Sequence, residues 1–236
     1  MGFELVLDGP GKNALSTDML RSIHARLDDH PREPFLMRGE DGALSAGVDL
    51  KEIAALGPEE MPGYLELLDG VTRRIFQWPA PTVAVVDGHA IAGGGVIALA
   101  CDQRIAEDDP AIRIGLTEIA VGVLFPPRIW NMVRFRIPAH AQTRVLLGAA
   151  LVPPREARAL GLVDEVVVGA REAAAARLAQ LSSYDPTVYR RTKEMLQGHV
   201  LQISPAQEAA FRDEVIPAWT SPELRARLVA RLTRKR

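Results

Sequence analysis

The stretch HAIAGGGVIALACD, His89–Asp102, gives the clearest indication of the fold. Three consecutive glycines lead directly into an apolar segment, which predicts a helix from Gly94 to about Ala100. The segment TVAVV, Thr82–Val86, comes shortly before it and is the β-branched run expected of a strand buried on both faces. The order of strand, glycine loop and helix indicates an α/β fold.

The glycine loop has three interpretations. As a nucleotide-binding loop it matches G-x-G-x-x-A over Gly93–Ala98, with Glu118 further along, but DGHAIA separates it from a strand that is not the first. As a structural element, the glycines would let a helix pack closely on a sheet without any ligand. As an oxyanion site, free N–H groups at the helix N-terminus would bind an oxygen on which charge develops. A second donor would then come from the small-residue turn LSAGVDLKEI, Leu44–Ile53.

Short strands and helices alternate over the first two thirds of the chain, and the last third is helical. Capping patterns predict where helices begin: Ser16 before a helix from Thr17 to about Asp28, Asp185–Pro186, and the capping box SPAQ, Ser204–Gln207. We therefore predict an α/β core over residues 1–168 and a helical C-terminal module over residues 169–236.

The composition is that of an ordinary globular protein. The chain has 236 residues, of which 47% are hydrophobic and 25% charged, and its formal net charge is −2, so neither nucleic acid nor a membrane is expected as a partner. The single cysteine, Cys101, excludes an internal disulfide, and we expect a reducing compartment and no metal site. We see no signal peptide and no apolar run near the roughly 20 residues of a membrane span, so we expect a cytoplasmic protein.

Four segments, in order, resemble the crotonase (enoyl-CoA hydratase/isomerase) superfamily: PGKNALSTDML, ALSAGVDLKEI, PTVAVVDGHAIAGGGVIALACDQRIA and LVPPREARALGLVDEVV. The resemblance covers Phe3 to about Val168. It implies a spiral of ββα turns, with the C-terminal helical module serving for trimerisation or as a lid, and a homotrimer or a dimer of trimers. It also implies a coenzyme A thioester as the substrate and no separate cofactor.

The resemblance further implies where the substrate is held. The thioester oxygen would lie between the backbone N–H groups of Val48 and Gly93. The turn that contacts coenzyme A would comprise Val48 together with Ala46, Asp49, Leu50 and Lys51. Asp49 has an equally simple alternative role as the N-cap of the helix that follows.

Val96 and Glu118 favour one reaction of the superfamily over another. Its hydratases resemble one another in carrying two glutamates, the first three residues after the oxyanion glycine; here that position is Val96, which holds no proton. The second position is Glu118, in a GLTE segment similar to the GLNE of Δ3,Δ2-enoyl-CoA isomerases, with Thr117 in place of the asparagine. We therefore predict that Glu118 alone moves the proton that converts a 3-enoyl-CoA to a 2-enoyl-CoA. An apolar Val96 would exclude water and raise the pKa of Glu118 toward neutrality.

Two alternatives remain open at the level of sequence. The protein could be a hydratase, or another crotonase-type lyase or hydrolase, in which an unidentified residue supplies the second function. It could also be a trimeric protein that binds coenzyme A thioesters without turning them over. A triad of Ser45, Asp102 and His89 is disfavoured because no strained nucleophile turn is evident, and we expect Arg128 and Lys193 to lie on solvated faces.

Overall fold

The computed structural model describes residues 2–233 and contains two parallel sheets. The larger sheet has the order β1-β2-β4-β6-β8, and its strands are β1 (Phe3–Leu7), β2 (Phe35–Gly39), β4 (Thr82–Val86), β6 (Gln103–Glu107) and β8 (Glu165–Val167). The smaller sheet has the order β3-β5-β7, and its strands are β3 (Ala43–Ser45), β5 (His89–Ile91) and β7 (Ile114–Gly115).

Helices occupy most of the remaining chain, and their bounds follow from N to C. They are α1 (Pro10–Asn13), α2 (Thr17–Asp29), α3 (Leu50–Ala55), α4 (Met61–Phe76), α5 (Gly93–Ala100), α6 (Glu118–Val121), α7 (Pro127–Arg136), α8 (Ala139–Gln142), α9 (Pro154–Ala159), α10 (Ala170–Ser182), α11 (Pro186–Gln197), α12 (Pro205–Ala210), α13 (Ile216–Thr220) and α14 (Pro222–Thr233). Two π-helical turns, Thr143–Leu147 and Phe211–Val215, follow α8 and α12.

Three successive ββα units build the spiral. They are β2-β3-α3, β4-β5-α5 and β6-β7-α6, and in each unit the first strand joins the larger sheet and the second strand joins the smaller one. Because β3, β5 and β7 are parallel, their carboxyl ends lie at one edge of the smaller sheet. The residues that follow each of these strands are therefore brought together, and the predicted crotonase-like α/β spiral is confirmed.

Local sequence signals account for many of the element boundaries. The Ser16 hydroxyl accepts a hydrogen bond from the Met19 N–H at the start of α2, and Ser204 and Gln207 form the predicted capping box of α12. All five residues of β4 are buried, as its β-branched composition predicts. Helix α5 begins at Gly93, one residue earlier than predicted.

Two features of the fold differ from expectation. The sequence interpretation did not include α7, because no capping signal precedes its two prolines. Lys193 was expected on a solvated face, but it is buried, with Nζ 2.7 Å from Asp102 Oδ1. Lys193, on α11, can be buried because Asp102, which lies between α5 and β6, compensates its charge.

The hydrophobic core extends from the spiral into the C-terminal helices. Its main cluster includes Leu15, Leu65 and Ile97 as well as Trp219 and Leu228, and α10 covers the opposite face of the larger sheet beside Val83 and Ile105. The division at residue 168 stays a prediction, and residues 234–236 of the predicted module lie outside the described residues. Among the described helices, none combines the length and the apolar character that crossing a membrane requires.

Candidate active site

The three turns that follow the smaller sheet form the candidate site. Strand β3 leads into the turn that ends at Leu50, β5 leads into Ala92 and Gly93, and β7 leads into Glu118 at the start of α6. The Ala92 N–H donates to the Gly115 carbonyl at 2.8 Å, which joins the second turn to the third. The spiral thus brings together segments that are far apart in sequence.

The first turn is fixed from behind by the segment that precedes α2. The Leu15 N–H donates to the Gly47 carbonyl at 2.8 Å, and the Ala46 N–H donates to the Lys12 carbonyl at 2.9 Å. Asn13 is fully buried, and its amide donates to the carbonyls of Glu40 and Ala43. These bonds explain the asparagine of the PGKNAL segment, for which the sequence alone suggested no function.

Glycines are required where the first two turns meet. A Cβ on Gly47, whose φ is 91°, would lie 2.9 Å from the Ile91 carbonyl oxygen and 3.1 Å from the Gly93 nitrogen, whereas a Cβ on Gly93 would make an ordinary contact of 3.4 Å with the Val48 nitrogen. A Cβ on Gly94 would lie 2.2 Å from the Ser45 carbonyl oxygen, which is closer than real contacts allow. The glycines therefore permit close packing of α5 against the first turn, which is the role that the structural interpretation of the loop gives them.

The same close packing brings two free donors together. Neither the Val48 N–H nor the Gly93 N–H has a hydrogen-bond acceptor among residues 2–233. Gly93 is the first residue of α5, where helix N–H groups are unsatisfied and the helix dipole is positive. Ala92 before it has φ 50° and ψ −120°, a conformation that is strained for alanine and sets the orientation of the Gly93 N–H. Two such donors can stabilise a negatively charged oxygen.

Val48 and Gly93 both line a cavity of about 250 Å³. Most of its wall is apolar, and it is lined by Ala46, Val48, Leu50, Leu68, Ile91, Ala92, Gly93, Val96, Thr117, Glu118, Val121, Val123, Leu124, Phe125, Pro126, Ile129, Leu151, Trp219 and Arg231. Within this lining, Glu118 is the one carboxyl group and Arg231 the one cation. An apolar cavity with few polar groups is typical of a small-molecule site.

Glu118 has the properties of a group prepared for proton transfer. It is 8% exposed, and its Oε2 has no hydrogen-bond partner among the described residues. Burial raises the pKa of Glu118 to about 7, although the backbone N–H groups of Glu118 and Thr117 act in the opposite direction. A carboxyl group with this pKa can accept and return a proton near neutral pH.

Val96 and Thr117 complete the surroundings of this carboxyl group. Val96, on the first turn of α5, is 3% exposed and contributes an apolar part of the cavity wall. Thr117 is the N-cap residue of α6 and lines the cavity, and its side chain makes no capping hydrogen bond. Its hydroxyl is therefore free of the role that threonine most often has at a helix start.

Two of the predicted substrate-contacting residues lie outside the cavity lining. The Asp49 carboxylate accepts hydrogen bonds from the N–H groups of Lys51 and Glu52, so the alternative role of Asp49 as the N-cap of α3 is confirmed. Lys51 is exposed on the first turn of α3. Both are on the outer side of the turn that carries Ala46, Val48 and Leu50, and their contact with coenzyme A stays a prediction.

The structure separates the residues of the disfavoured triad. His89 accepts a hydrogen bond from the Arg113 N–H, and Ser45 accepts one from the Gly47 N–H. Asp102 accepts from the Thr82 N–H and the Tyr189 hydroxyl. Each of the three residues has its own structural partner, so they do not form a catalytic unit.

Several lining residues were not identified from sequence. Leu68 comes from α4, Ile129 from α7, and Trp219 and Arg231 from α13 and α14. Their helical spacing marks buried faces but does not indicate which cavity a face borders. Phe125 also lines the cavity, whereas Trp78 lies in the core, where its indole N–H donates to the Glu33 carbonyl.

Comparisons with known proteins identify the family. The family model described as "Enoyl-CoA hydratase/isomerase" matches residues 4–218. The chain is 35% identical over 199 residues to a protein of Thermus thermophilus provisionally named as an enoyl-CoA hydratase, with 80% of this chain and 77% of that protein covered. It is 33% identical over 163 residues to the human mitochondrial enoyl-CoA delta isomerase 1, with 67% of this chain and 54% of that protein covered.

A solved structure is similar over nearly the whole chain. The crystal structure of human mitochondrial delta3-delta2-enoyl-CoA isomerase has a TM-score of 0.87 at 25% identity, and the match covers 98% of this chain and 93% of that one. The spiral, the paired free N–H groups beside a buried carboxyl, and the match over residues 4–218 lead to one conclusion. The chain belongs to the enoyl-CoA hydratase/isomerase family.

Proposed function

We propose that the protein is an enoyl-CoA isomerase that shifts the double bond of a 3-enoyl-CoA to give the conjugated 2-enoyl-CoA. One observation carries the proposal: Glu118 is the single carboxyl group in the described lining of the cavity, to which Val96 contributes an apolar side chain. A double-bond shift needs one group that takes and returns a proton, whereas hydration also needs a water molecule to be activated.

The reaction begins when the Glu118 carboxylate removes a proton from C2 of the substrate. The electron pair of that C–H bond delocalises into a dienolate, and negative charge develops on the thioester oxygen. The N–H groups of Val48 and Gly93 donate hydrogen bonds to this oxygen, and one such donor is worth about 10²–10³ in rate. The protonated Glu118 then returns the proton to C4, and the double bond between C2 and C3 forms.

The surroundings of Glu118 suit both halves of this cycle. A pKa of about 7 leaves a substantial fraction of the carboxyl ionised at neutral pH, and it makes the carboxylate a stronger base than an exposed glutamate. Val96 and the other apolar lining residues limit access of water to the dienolate. The Thr117 hydroxyl, which has no capping role, is available to the substrate.

Binding follows from the same geometry. Ala46, Val48 and Leu50 would contact the thioester end of coenzyme A, and Asp49 and Lys51 would contact it from the outer side of the turn. The proposal needs no cofactor besides the coenzyme A of the substrate. A cytoplasmic location stays a prediction, for which the single buried cysteine, Cys101, is the supporting observation.

We also propose assembly into a homotrimer or a dimer of trimers. Apolar residues near the cavity are exposed in the single chain, with Ile119 at 51%, Leu147 at 66% and Leu151 at 41%. Exposed apolar patches mark interaction surfaces in soluble proteins. Light scattering should give three or six times the mass of the chain, and Leu147→Lys should lower it.

A hydratase is the second candidate, because the Thermus relative carries that name. Incubation with 3-hexenoyl-CoA distinguishes the candidates: an isomerase produces the absorbance of a conjugated thioester without a change in mass. A hydratase acting on 2-hexenoyl-CoA removes that absorbance and adds the mass of one water molecule. A protein that only binds acyl-CoA would show thermal stabilisation and no turnover, which would contradict the proposal.

A further inference from the structure

Apart from Glu118, Thr117 and Arg231, the side chains that line the cavity are apolar, and we refer to this part of the lining as the apolar compartment. Its wall is formed by α4, α7, α13 and the segment that follows α6, through Leu68, Ile129, Trp219 and the apolar residues between Val121 and Pro126. No carboxyl group other than Glu118 occurs in the described lining, and its one cation, Arg231, is exposed. The compartment is therefore suited to a hydrocarbon chain rather than to a chain with a polar end.

Trp219 contributes the largest side chain of this wall. It lies on α13, in the helical part of the chain that follows the spiral, and it is 4% exposed. Its indole N–H donates to the Leu124 carbonyl at 2.8 Å, and Leu124 also lines the cavity. The ring is thus joined to the segment between Val121 and Pro126, on the chain directly after the proposed base.

The hydrogen bond has two consequences for the cavity. It holds the ring in one orientation, so the wall cannot move aside by a simple change of rotamer. It also satisfies the single polar atom of the side chain, so the ring presents only apolar surface to the cavity. A rigid apolar wall limits how far an acyl chain can extend, because overlap with packed atoms is unfavourable.

We propose that Trp219 is the specificity-determining residue for acyl chain length, and that the substrates are short, unsubstituted acyl chains. The inference rests on the proposed isomerase function, which defines the thioester end of the cavity. It names a residue outside the spiral, so the C-terminal helices select the substrate while the spiral performs the chemistry.

The test compares kcat/KM for 3-dodecenoyl-CoA with kcat/KM for 3-hexenoyl-CoA in each variant. The wild type should prefer the hexenoyl substrate, Trp219→Phe should reduce that preference, and Trp219→Ala should raise the dodecenoyl-to-hexenoyl ratio by about tenfold or more, a change typical of altered pocket contacts. The ratio does not depend on how much of each variant is folded, because both substrates use the same active fraction.

Trp78 provides a matched control. It is also 4% exposed, and its indole N–H donates to a backbone carbonyl, that of Glu33, at 2.7 Å, but it does not line the cavity. Trp78→Phe and Trp78→Ala should therefore lose about as much stability as the corresponding Trp219 variants and leave the dodecenoyl-to-hexenoyl ratio of kcat/KM unchanged. An equal change in ratio for the two tryptophans, or no change in Trp219→Ala, would overturn the inference.

A second measurement separates this inference from the proposed function. Thermal stabilisation by hexanoyl-CoA and by dodecanoyl-CoA, which carry no double bond to shift, reports chain capacity without turnover. If the wild type turns over no 3-enoyl-CoA but Trp219→Ala gains stabilisation by dodecanoyl-CoA, the isomerase proposal fails and the role of Trp219 stands. If the wild type turns over 3-enoyl-CoA, and Trp219→Ala changes neither the kcat/KM ratio nor the relative stabilisation by the two saturated thioesters, the isomerase proposal stands and the role of Trp219 fails.

Discussion

Val96 and Glu118 line the same cavity from successive ββα units, one 3% and the other 8% exposed. The first brings an apolar side chain to the cavity, and the second is a carboxyl group whose pKa burial raises to about 7. This pairing of an apolar wall with a single proton carrier is the basis of the proposed double-bond shift.

Glu118→Gln should lower kcat by about 10²–10⁴ because the side chain can no longer carry a proton. It should also change the pH dependence of stability. The raised pKa means that the folded state binds more protons than the unfolded state between pH 4.5 and about 7, so wild-type stability falls as pH rises through this range, by on the order of 3 kcal/mol. Thermal unfolding from pH 4 to 8 should show a shallower fall for Glu118→Gln than for the exposed control Glu59→Gln; equal slopes would contradict burial as the cause.

The pH profile of the reaction should report the same group. We expect kcat/KM to rise with pH and to reach a plateau above about 7, because Glu118 must be ionised to take the proton. Val96→Thr adds a hydroxyl to the cavity and should move the midpoint of the rise to lower pH, since the carboxylate is then less desolvated. Val71→Thr is the control, because Val71 is buried in α4 away from the cavity. An equal midpoint in the wild type and Val96→Thr would exclude Val96 as a cause of the shift.

Ala92→Gly tests whether backbone strain orients the Gly93 N–H. Glycine adopts φ 50° easily, so this variant should lose no stability. Its more mobile peptide should lower kcat, but by less than the roughly 10²–10³-fold loss expected when an oxyanion donor is removed. Ala149 also has a positive φ, of 47°, and does not line the cavity, so Ala149→Gly should keep both stability and kcat. Unfolding curves and steady-state kinetics of the two variants give the comparison. A fall in kcat in both variants would show that the effect is not local to the donor.

Gly94→Ala should destabilise the protein by about 3 kcal/mol or more, because the new Cβ would lie 2.2 Å from the Ser45 carbonyl oxygen. Gly63 in α4 has open space at the same position, so Gly63→Ala should stabilise the protein by up to about 1 kcal/mol. Denaturant unfolding of both variants measures the difference. Similar stabilities would mean that the glycines are not required for the approach of α5 to the first turn.

Asp49→Ala should lower stability by about 1 kcal/mol through loss of the N-cap of α3, and it should also lower kcat because α3 supports the turn that carries Val48. Asp185 caps α11 in the same manner, away from the cavity, so Asp185→Ala should lose similar stability and keep kcat. Chemical unfolding and kinetics with 3-hexenoyl-CoA separate the two effects. An unchanged kcat in Asp49→Ala would limit this residue to capping.

The sequence could predict those parts of the site that are marked by a short local motif. Glu118, Val48, Gly93 and Val96 lie in short motifs next to the strands of the smaller sheet, so their motifs predicted them as site residues, and all four line the same cavity. The smaller sheet itself was not predicted, because two or three residues per strand carry too little periodicity.

The rest depended on tertiary packing. Trp219 lines the cavity only because α13 packs beside the segment after α6, and helical spacing does not report that contact. Lys193 was expected in solvent because lysine is rarely buried, and only the position of Asp102 explains why it is. Neither pairing involves residues close in sequence.

The free donors of this site belong to the main chain, and that has a consequence for how the family's reactions can diverge. Any substitution at Val48 other than proline would change the side chain and leave the N–H in place, so the proposed means of stabilising an enolate would tolerate mutation at that position. On this proposal, exchange of one side chain on a neighbouring turn, such as Val96, would change the reaction while the two backbone N–H groups stay in place.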